Sequence, residues 1–181
     1  MPSAGAYMKR SELEHLIRAA GAIAEDREIV IVGSQAVLGQ FPDAPAALLA
    51  SMEADVFPRN HPERTDLIDG SIGEGSRFHE EFGYYAQGVS EATATLPAGW
   101  SGRLVRVENA NTGGIAGLCR EVHDLAVSKY VAGRQKDLAF TVALARHGLT
   151  RKATLLDRAA RTKLAPRLRS LVKARIRRDF G

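Results

Sequence analysis

Two stretches separated by a short apolar segment constrain this chain more than any other: Glu28-Ile-Val-Ile-Val-Gly33-Ser34 and Met52-Glu53-Ala54-Asp55-Val56-Phe57-Pro58. A β-branched run ending in glycine reads as a strand buried on both faces. The alternation of the second stretch reads as a strand that Pro58 stops. Side chains alternate along a strand, so Glu53 and Asp55 point the same way, about 7 Å apart at Cα, while Met52, Ala54 and Val56 turn toward the core. Two carboxylates on one face repel each other, and a cation relieves the repulsion. Such ligands suit Mg²⁺ or Mn²⁺, which are commonly held by one or two carboxylates plus substrate phosphates. The Gly33-Ser34 turn leaves a strand and opens a helix, where free amides hold phosphate oxygens. The plainer reading of the same spacing is a strand edge carrying two solvated acids.

Other nucleotide signatures do not apply to this turn. Gln35 stands where a dinucleotide fingerprint needs its second glycine, and no Gly-Lys-Ser/Thr follows for a Walker loop. The five histidines show no zinc spacing with one another or with the single cysteine, Cys119. A lone cysteine cannot form an internal disulfide, which suits a reducing cytoplasm, and is read as a small buried hydrophobe. The first ten residues, MPSAGAYMKR, lack the apolar core of an export signal. No apolar run approaches the roughly 20 residues of a membrane span.

Around the central stretches the chain is organised simply. SELEHLIRAAGAIAE is an amphipathic helix, with Ser11 and Glu14 at capping-box spacing. PAALLASM reads as a short helix and GRLVRVEN as a further strand. Residues 59–100 are polar and glycine-rich but carry enough apolar and aromatic side chains for a structured insertion. From EVHDLAVSKYVAG onward the pattern is helical, with Gly133 and Gly148 ending two helices and a break near Pro166. These elements predict an α/β (α+β) fold: a small mixed β-sheet flanked by helices, with a helical C-terminal part. We expect one domain over residues 1–150 and a basic helical extension over 151–181.

The extension holds eleven Lys or Arg against two Asp, a charge of +9, so the first 150 residues carry −5 of the total +4. Such asymmetry suggests a polyanionic partner such as RNA, although a solvated helix face has the same composition.

Gly33-Ser34 followed by Glu53-Ala54-Asp55-Val56 resembles the core of the polymerase-β-type nucleotidyltransferase superfamily. The segment DLAVSKYVAGRQKDLA resembles the corresponding part of AbiEii-like toxins and related uncharacterised bacterial families. The segment IGEGSRFHEEFGYYAQGV with the later LPAGWSGRLV is similar to one such uncharacterised family. The gap between Ser34 and Glu53 is longer than usual in the superfamily, and the first acid is Glu where Asp is commoner. The resemblance implies that Gly33 and Ser34 bind the triphosphate of a nucleoside triphosphate, and that Glu53 and Asp55 hold one or two divalent metals. It implies that Lys129 contacts a phosphate, with Arg134 beside it, and that Asp137 orients Lys129 or acts as a base. A third metal-binding carboxylate would be Asp137 or Glu108, which ends a strand. The simpler readings are a solvated Lys129 and an Arg134–Asp137 pair within one helix.

The implied activity is metal-dependent transfer of a nucleoside monophosphate to a hydroxyl of RNA or protein by a cytoplasmic enzyme, with a toxin-like role open. Two rivals are a catalytically inactive module of the same fold that binds nucleic acid, and a component docked on a protein partner.

Overall fold

A computed structural model describes residues 7–181; residues 1–6, part of the stretch lacking an export-signal core, lie outside the described residues. The chain opens with α1 (Arg10–Ala24), whose apolar residues Leu13, Leu16, Ile17 and Ala20 are buried. The expected Ser11–Glu14 capping box does not form. The N-cap is Lys9, two residues earlier, and Glu12 accepts from the Lys9 amide at 2.9 Å. Glu14 is buried instead, accepting from Asn109 and Asn111 and pairing with Arg10.

After β1 (Glu28–Ile31), a 3-10 turn (Ser34–Ala36) leads into the four-residue α2 (Val37–Gln40). The segment expected as a second short helix forms only a 3-10 turn, Ala46–Leu48. Then come β2 (Glu53–Pro58), α3 (Thr65–Ile72), α4 (Arg77–Phe82) and β3 (Tyr85–Gly88). A strap over residues 89–104 contains two 3-10 turns, Glu91–Thr93 and Trp100–Arg103, and leads to β4 (Val105–Val107) and β5 (Ala116–Cys119). The chain ends in α5 (Val122–Ala132), α6 (Gln135–Arg146), α7 (Lys152–Ala160) and α8 (Pro166–Asp179). Gly133 closes α5 in the left-handed region (φ 65°), a conformation glycine adopts freely.

The five strands form one mixed sheet in the order β3-β2-β1-β5-β4. β1 runs antiparallel to β2 and parallel to β5, while β2 is parallel to β3. Strand alternation divides the sheet into two faces. Ile29, Ile31, Ala54 and Val56 enter the main core beneath the helices. Val30, Val32, Phe57, Ala116 and Leu118 face the other way and are covered by Val89, Ala94, Trp100 and Leu104 of the strap. Gly117 permits the close approach of α1, because a Cβ there would sit 2.3 Å from Ile17 Cδ1.

Residues 151–181 are packed on the body. Leu155, Ala159, Val172 and Ile176 are buried in the main core. Tyr130 on α5 donates to Asp179 at 2.8 Å, and Arg175 donates to the Tyr130 carbonyl at 2.7 Å. Arg158 reaches from α7 to Glu121 and the fully buried Asp124, which also receives two bonds from Arg103. Among the described residues no helix is long and apolar enough to cross a membrane.

Candidate functional site

Parallel β1 and β5 end at the same edge of the sheet, where antiparallel β2 begins. Val32 N donates to the Asp55 carbonyl at 3.0 Å, and Arg120 N donates to the Ile31 carbonyl at 3.0 Å. Asp55 follows the strap-side alternation of Phe57, and Arg120 that of Ala116 and Leu118, so both side chains belong to the face opposite the helices. α5 leaves β5 at this edge and brings Lys129 across it. The result is a cavity of about 200 Å³ lined on the sheet side by Gly33, Asp55 and Arg120, on the helix side by Lys129, Arg134 and Asp137, and above by Thr93 to Thr95.

Asp55 is the unsatisfied acid of this cavity. Its Oδ1 is buried with no hydrogen-bond partner. Burial, together with the Glu53 carboxyl beside it, pushes its pKa up to about 7, against the pull of Lys129. Glu53 sits one pleat away along β2, and its Oε2 accepts from the Tyr85 hydroxyl at 2.7 Å. That bond ties Tyr85 of β3 to the acid pair. Gly33 is extended (φ −82°), so no special backbone demands glycine here. Space does: a Cβ would lie 2.6 Å from Asp55 Oδ2. Ser34 follows Gly33 and opens only a 3-10 turn before the four-residue α2. Any phosphate contact from this turn is therefore local amides and one hydroxyl, with no substantial helix dipole behind it.

Asp137 is in a different state. Its side chain is buried, accepts from Arg134 Nε at 2.6 Å and lies 3.6 Å from Lys129 Nζ. Burial opposes its ionisation, but Arg134 and Lys129 prevail and hold the carboxyl below the ordinary range. Burial lowers the Lys129 pKa, with Asp137 and Asp55 resisting. Glu108 is not brought here. It follows β4, three strands from β2, at the end of the sheet where β1 and β5 start, and pairs with Arg106 at 2.7 Å.

Among the described residues no group of three or more His, Cys, Asp or Glu side chains is gathered to hold a metal. The donors present fit a hard divalent cation that takes its remaining ligands from phosphate and water: two carboxylates on one strand face, one with a free oxygen.

Arg120 was not singled out from the sequence. It is 2% exposed, and burial lowers its pKa to about 10. The signal available was an apolar run, Ile115 to Cys119, closed by an arginine. A second cavity of about 210 Å³ lies farther along the same sheet face, floored by Val30, Phe57 and Leu104 and walled by Trp100. Its lining ionisable residues, Arg59 and Glu91, are exposed, whereas the Asp55 cavity has buried ones. Cys119 is fully buried with its thiol pushed up to about 12, consistent with a packing role.

No curated protein and no solved structure matches the chain. The family model described as "nucleotidyltransferase of unknown function (DUF6036)" matches residues 11–145, which contain the whole cavity, and the chain belongs to that family.

Proposed function

We propose that the protein is a divalent-metal-dependent nucleotidyltransferase that moves a nucleoside monophosphate from a nucleoside triphosphate to a hydroxyl acceptor. The observation that carries this reading is the pairing, in one cavity, of an unpartnered Asp55 oxygen with the Lys129 ammonium. The first asks for a cation and the second for an anion, and a metal–triphosphate complex is both. Glu53 and Asp55 would hold Mg²⁺ or Mn²⁺, which would supply positive charge to offset the negative charge of the phosphates during transfer. The Gly33 and Ser34 amides would contact phosphate oxygens, and Lys129 would neutralise them. Asp137 is too strongly paired to serve as a base, so its role is to position Lys129, with Arg134 completing the rim. Fixed charges in a partly dry cavity act without reorganising, the main source of catalysis in such transfers.

The acceptor hydroxyl is assigned to RNA on the strength of exposed cations on and beside α7 and α8, among them Arg151, Lys152, Lys163 and Arg167. A protein hydroxyl is the other outcome of the test. The protein is incubated with each nucleoside triphosphate labelled at the α-phosphate, Mg²⁺ or Mn²⁺, and total RNA or protein. Label is expected on one acceptor with the wild type and not with Asp55→Asn. No transfer in any combination, with no metal-dependent nucleotide binding, refutes the enzyme. The inactive nucleic-acid-binding module would instead bind RNA equally well with and without the Asp55 carboxylate.

A further inference from the structure

We propose that Arg120 is an anion-binding residue of the Asp55 cavity, holding a phosphate of the nucleotide; this rests on the nucleotide reading above. The guanidinium is buried, yet every hydrogen bond it makes goes to a neutral acceptor. Nη1 donates to the Val32 carbonyl at 3.3 Å and to Ser128 Oγ at 3.0 Å, and Nη2 donates to the Thr95 carbonyl. Nε is buried without a partner. Among the described residues no carboxylate lies within ion-pair distance of Arg120. Asp124, the acid whose field it feels, is already engaged by Arg103 and Arg158 at 2.8–2.9 Å.

A buried cation without a counter-anion is unfavourable, and proteins seldom keep one for structure alone. A neutral amide would serve better if Arg120 only tied the strap to β1. A guanidinium is suited to a phosphate, which matches its forked donors and supplies the missing charge. The position agrees with that use. Arg120 lines the same cavity as Gly33, Asp55 and Lys129, and two of the residues that line it carry unmet buried atoms of opposite sense, Asp55 Oδ1 and Arg120 Nε. The Thr95 bond adds a consequence. The residue that holds the anion also holds the strap over the site, so an anion on Arg120 and an ordered strap favour each other.

The test uses pyrophosphate with a metal chelator present, and sulfate at equal ionic strength as the reference. Thermal melting of the wild type is expected to shift upward with pyrophosphate and to saturate. Arg120→Lys should retain part of the shift. Arg120→Gln should bind at least about tenfold more weakly, the loss expected for a charge-assisted hydrogen bond. A purely structural arginine would lower the starting melting temperature but leave pyrophosphate affinity unchanged, and that result overturns the proposal. Should Arg120→Gln not fold, the Nε–H resonance of Arg120 in the wild type decides. A saturable shift on adding pyrophosphate supports the assignment, and an unmoved signal at saturation overturns it. Metal-dependent nucleotide binding that needs Asp55 but is unaffected in Arg120→Gln removes only this proposal. Absence of both pyrophosphate and metal–nucleotide binding in the wild type removes the nucleotide reading as well.

Discussion

Replacing Asp55 by asparagine should make the protein more stable, and only above a certain pH. In the folded chain the Asp55 carboxyl is raised from its ordinary 3.8 to about 7 by burial and by Glu53. Below about pH 4 the group is protonated in both folded and unfolded chains and contributes no difference. Between the two values the folded chain retains a proton that the unfolded chain has released, so stability falls as pH rises, and the loss is complete above pH 7. A shift of this size corresponds to about 4 kcal/mol as an upper bound. The surroundings relax when Asp55 ionises, so we expect about 2 kcal/mol. For a chain of this length that is about 4–8 °C in melting temperature. The assay is thermal unfolding of wild type and Asp55→Asn at pH 4.5 and pH 8, where titrating groups remote from Asp55 cancel in the difference. The variant's advantage should be small at pH 4.5 and reach its full value at pH 8. Mg²⁺ at pH 8 should narrow the gap by stabilising the wild type alone. An advantage independent of pH, or a variant less stable at pH 8 than at pH 4.5 relative to wild type, would refute the reasoning.

Gly33→Ala should abolish nucleotide transfer while moving the melting temperature by only a few degrees, because the backbone accepts alanine but the Cβ displaces Asp55; activity and melting measured side by side check this. Lys129→Met should reduce the transfer rate by about 10²–10³-fold, the scale of losing one fixed electrostatic contact, read from single-turnover kinetics. Arg158→Met should destabilise by about 3 kcal/mol in urea titrations, because Asp124 and Glu121 lose a shared cation. Despite burial, His123 and Arg158 help to hold Glu121 down at about 2, so its contribution is present above pH 4.5 and lost as pH falls toward 2. The same variant should therefore unfold at a higher pH on acid titration. Charge-neutralising Arg151, Lys152, Lys163 and Arg167 together should weaken RNA binding and flatten its salt dependence, whichever RNA is used.

The parts of the site legible from sequence were those that depend on local periodicity. Strand alternation is enough to put Glu53 and Asp55 on one face and Ala54 and Val56 on the other. The Lys129 and Asp137 segment carried a resemblance, and the helix end at Gly133 between them is written in an ordinary cap signal. What was illegible depends on strand direction and on partners far away in the chain. β5 is four residues long, interrupted by Gly117, and pairs with a strand with no turn between them to announce it. Without β5 there is no reason to notice Arg120, which ends it. Glu108 ends a strand as expected of a metal-binding acid, but β4 runs antiparallel to β5 and delivers its C-terminal end to the opposite edge. The α1 cap shifted for a smaller reason: the Glu14 side chain is committed to Asn109 and Asn111, leaving Glu12 to meet the first free amide.

The parallel pairing of Glu28–Ile31 with Ala116–Cys119 joins residues 88 positions apart in the chain. Loop closure over such a distance must be completed before its contacts contribute, which makes the β1–β5 union a slow step in folding. Glu53 and Asp55 lie before β5 in the chain, and Arg120, Lys129 and Arg134 after it. A folding intermediate with β1, β2 and β3 assembled but β5 undocked would present Glu53 and Asp55 with no Arg120 or Lys129 beside them. Competence to bind a polyphosphate should therefore appear in stopped-flow refolding only with the slowest β5-docking phase, and should be the first property lost on unfolding from that edge.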